Sequence, residues 1–128
     1  MDGSDFLSRS AAFMGASGVS LGAFGAHSLR SKLEAKAGGL DNWKTAVNYQ
    51  LIHAVALLAL SALSRTTTQS AVKAACQKAG KMMVLGTSFF SGSIYMLVLD
   101  KGPKKILGPL TPVGGLFMIA GWVYLGLM

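Results

Sequence analysis

Four long apolar stretches, separated by short polar segments, make up most of the chain. Each holds 18 to 24 residues, close to the roughly 20 that a helix rising about 1.5 Å per residue needs to cross a bilayer core. They lack the polar face, recurring every 3.6 residues, that is typical of a helix in a soluble bundle. The pattern predicts an all-α membrane protein, a four-transmembrane-helix bundle that forms one domain over residues 1–128. The predicted spans cover residues 6–29, 46–64, 82–99 and 106–128.

The first stretch leaves the number of spans open, because it is rich in glycine and serine and is the least hydrophobic of the four. Three spans are the alternative. The small residues at 22–26 resemble a signal-peptide cleavage site, but the preceding MDGSDF is acidic where a signal peptide carries positive charge. We therefore expect the first stretch to be retained as a membrane span.

The segment between the first two spans, SLRSKLEAKAGG at 28–39, separates apolar from charged positions on a helix. Its apolar face consists of Leu29, Leu33 and Ala37. This pattern predicts a short amphipathic helix on the membrane surface, ended by the two glycines. Asp41 or Asn42 is then expected to cap the second span, with Trp43 and Tyr49 at the membrane interface.

The remaining connections predict one helix that extends beyond the membrane and one tight loop. Ser70 is a suitable cap for a third helix of about 30 residues, whose first third lies outside the lipid. The segment DKGPKKILGPLTP at 100–112 predicts a loop with turn residues Gly108, Pro109 and Pro112. Either Gly108-Pro109 or Thr111-Pro112 is expected to begin the fourth span.

Composition supports the membrane assignment and excludes some partners. Hydrophobic residues make up 52% of the chain and charged residues only 13%, too few to cover the surface of a small soluble domain. The net charge of +7 comes from cations at the edges of the apolar stretches, which suits lipid headgroups and disfavours a nucleic-acid partner. The single cysteine, Cys76, excludes an intrachain disulfide and a cysteine-based metal site.

Small residues recur at helical spacing on three of the spans, where they allow helix backbones to approach closely in lipid. We expect them to pack helices within the chain; the alternative is that one such face, on the first span, docks a partner protein or a second copy. The predicted packing positions are Gly15, Gly18, Gly22, Gly25, Ser88, Gly92, Gly114 and Gly121.

Polar side chains at membrane depth are costly and are therefore the candidate functional residues. They are His27, Asn48, Tyr49, Gln50 and His53. Hydrogen bonding between helices is the preferred interpretation, and a proton or ion path is the alternative, although no carboxylate lies within a span. Haem ligation by the two histidines is disfavoured, because they are expected at different membrane depths. We predict no catalytic residue, no metal site and no cofactor.

Four segments together resemble the transmembrane protein 256 family, also described as domain-of-unknown-function family 423. They are GAFGAHSL at 22–29, WKTAVNYQLIHAVALL at 43–58, FFSGSIYMLVL at 89–99 and LGPLTPVGGLFMIAGW at 107–122. The resemblance implies a four-helix membrane protein with no established activity, found in bacterial membranes and in eukaryotic organelles. Ser28 replaces the glycine usual after the first histidine. The family pattern includes Gly25, His27, Trp43, Tyr49, Gln50, His53, Ser91, Gly92, Tyr95, Gly108, Pro109, Pro112, Gly114, Gly115 and Trp122.

Together these observations predict a non-enzymatic accessory or structural subunit of a membrane complex. The lipid bilayer is the expected environment, and other membrane subunits are the expected partners through the glycine-lined faces. In a eukaryotic cell the expected location is an organelle inner membrane, the mitochondrial one. The alternative function is a small oligomeric transporter or channel that uses Asn48, Gln50 and His53.

Overall fold

The computed structural model describes residues 2–128, and within them the chain is all-helical with no strand. The all-α prediction is therefore confirmed. Four long helices reverse direction at short connections, and one short helix follows the first. The helices are α1 Gly3–Ala26, α2 Arg30–Glu34, α3 Gly39–Thr66, α4 Ser70–Val98 and α5 Lys104–Gly126.

Three of the long helices, α3, α4 and α5, are both long and apolar enough to cross a membrane. They contain 28, 29 and 23 residues. Helix α1 has 24 residues, which is sufficient length, but glycines and serines keep its most apolar stretch less apolar than those of the other three helices.

The long helices pack in the order α1, α3, α4, α5. Helices α3 and α4 form the central pair, α1 lies along α3, and α5 lies along α4, while α2 rests against α3 and α1. The buried apolar side chains form two clusters at different levels of the bundle. One contains Leu7, Met14, Leu57, Cys76 and Met83, and the other contains Leu33, Trp43, Val47 and Val98.

The backbones of α4 and α5 approach most closely at two facing glycines. A Cβ atom on Gly86 would lie 2.7 Å from the carbonyl oxygen of Gly114 and 2.7 Å from the backbone nitrogen of Met118. Because these are backbone atoms, they cannot move aside as a side chain can. Close backbone contact of this kind replaces the hydrophobic driving force that helices lack in lipid.

Two helix starts differ from the sequence prediction. Gly38, in the left-handed region at φ 70°, caps α3 one residue before it begins at Gly39, so neither Asp41 nor Asn42 is the cap. Glycine tolerates this conformation, which lets the chain reverse earlier than expected. Gln69 rather than Ser70 is the cap of α4, whose 29 residues match the predicted length.

The predicted turn at Gly108, Pro109 and Pro112 is wrong, because α5 begins at Lys104 and continues through both prolines. Proline lacks the amide that would bond to the carbonyl four residues earlier, but this loss is tolerated near a helix start and in membrane helices. The Thr111 hydroxyl donates to the Leu107 carbonyl oxygen at 3.2 Å. The chain turns instead at Asp100 and Gly102, which have φ angles of 56° and 78°.

Candidate functional site

A buried amide, that of Gln50, joins three helices near the centre of the bundle. Its Nε2 atom donates to the carbonyl oxygen of Met14 at 2.9 Å and to Oγ of Ser17 at 2.8 Å, both on α1. Its Oε1 atom accepts from the hydroxyl of Tyr95 on α4 at 2.7 Å. Both N–H donors of the amide are used, so the hydrogen bonds of Gln50 connect α3 to α1 and to α4.

His53 connects α3 to α5 through a second interhelical hydrogen bond. The indole Nε1 of Trp122 donates to His53 Nε2 at 3.1 Å, so Nε2 is an acceptor and the proton resides on Nδ1. Nδ1 then donates to the Tyr49 carbonyl oxygen at 2.7 Å. The imidazole is neutral and both of its nitrogens are engaged, which leaves no ring lone pair for a metal ion.

Two of the other predicted polar residues, Asn48 and His27, take no part in the hydrogen bonds of Gln50 and His53. Asn48 is exposed on the outer face of α3, and His27 is exposed at the end of α1. Tyr49 is 43% exposed, and its ring packs against Phe90 and His53 with centroid distances of 4.8 and 6.4 Å. The five candidates therefore do not form one continuous polar path.

The two histidines lie too far apart to share a ligand. Trp43 Nε1 donates to the Leu21 carbonyl oxygen at 2.9 Å, which fixes the relative level of α1 and α3. His27 lies six residues beyond Leu21, and His53 lies ten residues from Trp43 in the opposite direction. At 1.5 Å per residue they are about 24 Å apart along the bundle, which rules out haem ligation between them.

A buried polar face on α4 was not predicted from the residue spacing, although two of its residues, Ser91 and Tyr95, belong to the family pattern. Thr87, Ser91 and Tyr95 recur every four residues on α4 and face α3 and α1. Ser91 donates to the Ala46 carbonyl oxygen at 2.7 Å, and the Tyr95 ring lies 4.8 Å from that of Trp43. Trp43 is thus buried instead of belonging to an interfacial belt. The four-residue spacing of hydroxyl side chains was the signal that could have identified this face.

A cleft of 230 Å³ opens between α1 and α4, and Gln50 lies among its lining residues. Thr87 lines it and is only 2% exposed. The Thr87 hydroxyl has no hydrogen-bond partner among residues 2–128. By contrast, Ser88 donates to the carbonyl of Val84 at 2.7 Å in its own helix. The other lining residues are Phe13, Met14, Ser17, Leu21, Ser91, Gly92 and Tyr95.

The small residues on α1 divide into packed and open positions. A Cβ atom on Gly18 would lie 2.7 Å from Leu51, and Gly22 and Gly25 similarly face Val47 and Trp43 on α3. Gly15 has no neighbouring atom within 4 Å of this position.

On α4 the predicted pair Ser88 and Gly92 is not at a helix contact within the bundle, since Ser88 is exposed and Gly92 has open space. Gly86 makes that contact instead, opposite Gly114 on α5. Gly121 on α5 approaches the carbonyl oxygen of Ala79, which would lie 3.1 Å from a Cβ atom there.

Comparison with known proteins places this bundle in a widespread group. The profile of the family described as "Protein of unknown function (DUF423)" matches residues 21–115, from the end of α1 into α5. The chain is 44% identical over 107 residues to UPF0382 membrane protein SH2409 of Staphylococcus haemolyticus, covering 84% of this chain and 80% of that one. No solved protein structure matches the chain.

The relatives include eukaryotic as well as bacterial proteins. UPF0382 membrane protein C1782.12c of Schizosaccharomyces pombe is 38% identical over 115 residues, which cover 88% of this chain and 91% of that protein. UPF0382 membrane protein YwdK of Bacillus subtilis is 40% identical over 112 residues, covering 82% and 80%. The chain is therefore a membrane protein that belongs to the DUF423 family, as its sequence motifs predicted.

Proposed function

We propose that α1 crosses the membrane as the fourth span. The uncharged stretch between Arg9 and Arg30 contains 20 residues, as many as the stretch between Lys44 and Arg65 that includes most of α3. Helix α1 is tied to α3 over most of its length, from the Ser4 carbonyl, which accepts from Ser61 at 2.7 Å, to the Leu21 carbonyl. A helix packed in this way against a membrane span lies at the same depth.

Site-directed labelling tests the fourth span. In a Cys76→Ala background, Thr68→Cys and Ser28→Cys should react with a membrane-impermeant thiol reagent from opposite sides. A protease should remove an N-terminal tag from the side on which Thr68→Cys reacts. Removal from the side on which Ser28→Cys reacts would show that α1 does not cross.

We further propose that the protein is a non-enzymatic structural subunit of a membrane complex. The hydrogen bonding of its buried polar side chains carries this proposal. Ionisable groups inside a membrane usually serve transport or catalysis, but here His53 accepts from Trp122 on α5, and Gln50 bonds to Met14, Ser17 and Tyr95 on α1 and α4, so both side chains hold helices together. The five carboxylates lie near the helix ends, at Asp2, Asp5, Glu34, Asp41 and Asp100, where none can act as a base inside the bundle.

A structural subunit needs a surface on which a partner can pack, and the outer edge of the cleft between α1 and α4 suits a partner helix. Ser88 is exposed there, and Gly92 has no atom within 4 Å of its Cβ position. A small-xxx-small pair facing lipid lets another helix approach the backbone closely. Phe13, whose side chain is 74% exposed, lines the opposite wall of the cleft.

Affinity purification of the tagged chain from its own membranes in mild detergent tests this role. A partner protein should be recovered at a fixed ratio to the chain. Gly92→Leu should abolish recovery of the partner without lowering the thermal stability of the chain, whereas Gly126→Leu, at another open position, should leave it intact. Recovery of a monomer alone in several detergents would refute the proposal.

Transport by an oligomer is the second candidate, and the cleft with its unpartnered Thr87 hydroxyl is the observation that favours it. The chain would be reconstituted in liposomes that contain a pH-sensitive dye. A transporter that uses this cleft should show proton or ion flux that falls in Gln50→Leu and Thr87→Val, since both residues line the cleft. Absence of flux, or flux that neither substitution changes, would remove this candidate.

A further inference from the structure

A second cleft, of 430 Å³, lies between α4 and α5 at the end of the bundle where α4 begins. Lysine side chains line one part of it and apolar side chains line the rest. The lining residues are Ala74, Gln77, Lys78, Lys81, Met82, Leu85 and Phe117. Neither Gln50 nor His53 lines this cleft, so it is separate from the interhelical hydrogen bonds described above.

The two lysines of this cleft carry positive charge that no carboxylate of the described chain neutralises. Lys78 and Lys81 are absent from every ion pair among residues 2–128. They are three residues apart on α4, so their side chains share one helix face. The Lys78 ammonium nitrogen lies 5.5 Å from the centroid of the Tyr124 ring, which directs this lysine towards α5.

No acidic residue in the described part of the chain lines this cleft. At this end of the bundle Asp5 pairs with Arg65 at 2.7 Å, and the Asp2 carboxylate accepts from the backbone N–H and the hydroxyl of Ser4. The other three carboxylates belong to segments at the opposite end: Glu34, Asp41 and Asp100. An anion in the cleft would therefore meet two cations without a competing carboxylate.

The charge pattern along α4 indicates that the cleft lies where lipid headgroups meet acyl chains. Lys81 is the last charged residue before the 18 uncharged residues at 82–99, and Lys78 lies about 4.5 Å further out along the helix. Leu85 and Phe117 are 40% and 36% exposed. The side chains that line the cleft thus change from cationic to apolar over about one helical turn.

We propose that this cleft binds an anionic phospholipid. The phosphodiester contacts the ammonium groups of Lys78 and Lys81, and one acyl chain lies along Leu85 and Phe117. Free phosphate would leave the apolar part of the cleft unused. A zwitterionic lipid would bring a cationic amine to a cleft that contains no carboxylate, so an anionic lipid is preferred.

Lipid-dependent thermal stability of the purified full-length chain tests the proposal. Titration with phosphatidylglycerol should raise the melting temperature, whereas phosphatidylcholine and inorganic phosphate at equal concentration should not. The Lys78→Gln/Lys81→Gln double variant should bind phosphatidylglycerol about 30-fold more weakly, since each lysine near an anionic headgroup contributes about fivefold. Lys101→Gln/Lys105→Gln, with two lysines removed at the opposite end, is the matched control and should respond like the wild type.

Three results would overturn the proposal: an equal response to phosphatidylcholine, an equal response to inorganic phosphate, or equal affinity in the double variant and its control. The charge-preserving Lys78→Arg/Lys81→Arg variant should keep the response. A photoreactive phosphatidylglycerol provides a test on the wild-type chain, independent of whether the variants fold. Its acyl label should attach to the peptides that contain Leu85 and Phe117, and labelling elsewhere would contradict the proposed site.

Discussion

At the scale of single residues, the hydrogen bonds of Gln50 matter because lipid offers no alternative partners. Three bonds from one amide reach Met14, Ser17 and Tyr95. If the amide is removed, Tyr95 loses its acceptor, and an unsatisfied polar group inside the bundle costs more than the original bond contributes. This makes Gln50 the residue at which a single substitution should weaken the contacts of two neighbouring helices.

We predict that Gln50→Leu lowers the free energy of unfolding by about 2 kcal/mol. Thermal unfolding of the purified protein in detergent measures the effect. Asn48→Leu, an equally large change on the exposed face of the same helix, is the control and should cost little. Equal destabilisation by the two substitutions would show that the three hydrogen bonds contribute nothing specific.

Thr87 provides the opposite case, a buried hydroxyl without a partner. Thr87→Val keeps the shape and removes the polar group, so it should leave stability unchanged or raise it by up to about 1 kcal/mol. Ser91→Ala, which removes the bond to the Ala46 carbonyl, should lower stability by about 1 kcal/mol. If Thr87→Val were as destabilising as Ser91→Ala, the Thr87 hydroxyl would have to be hydrogen-bonded in solution.

The sequence identified the polar residue types correctly but not their neighbours. Successive residues on a helix are about 100° apart, so Asn48 points almost opposite to Gln50 and could not have shared a path with it. Gln50 and His53 differ by only about 60° around the helix, yet one contacts α1 and α4 and the other contacts Trp122 on α5. Which helix lies at each angle depends on the packing order, and uniformly apolar spans do not encode that order.

At the scale of the helices, glycines determine how closely α4 and α5 pack. We predict that Gly114→Ala weakens this contact by about 2 kcal/mol, because the new methyl group would meet backbone atoms of Gly86 and Phe90. Gly15→Ala, where nothing lies within 4 Å, should be neutral or slightly stabilising, since alanine favours the helix more than glycine does. Thermal unfolding of both variants measures the difference, and destabilisation only in Gly15→Ala would contradict the described packing.

The existence of the four long helices followed from the apolar runs, whereas helix boundaries and contact faces did not: α3 has 28 residues where the apolar run covers 46–64. The prolines in α5 predicted a turn, but a helix tolerates proline near its start, so Pro109 and Pro112 lie within it. Small residues alone likewise could not distinguish Gly86 from Ser88 as the contact on α4. The choice depends on the rotation of α4 towards Gly114, a residue 28 positions away in the sequence.

At the scale of the whole molecule, ion pairs connect segments at both ends of the bundle. Lys36 donates to Asp100 at 2.6 Å and to the Leu97 carbonyl at 2.8 Å, which joins the segment after α2 to the end of α4. At the other end Arg65 binds Asp5 at 2.7 Å. Both pairs lie outside the uncharged parts of the helices.

The Lys36–Asp100 pair predicts a specific dependence of stability on pH. The Lys36 hydrogen bond and charge lower the pKa of Asp100 below its usual value of 3.8. A lowered pKa stabilises the folded state above the unfolded-state pKa, and this stabilisation disappears as the pH falls through the folded-state pKa. Asp100→Asn should therefore lower the melting temperature at pH 7 and leave it unchanged below the folded-state pKa. A constant effect of Asp100→Asn at every pH would exclude the ion pair as its cause.

The proposed role of this bundle is that of a structural subunit within a larger membrane complex. The most direct test is the mass and composition of the particle released from native membranes, measured by native mass spectrometry. We predict one main particle heavier than the 13.3 kDa chain, with a second protein at a fixed ratio that Gly92→Leu releases. A particle of 13.3 kDa, or of multiples of this chain alone, would contradict the claim.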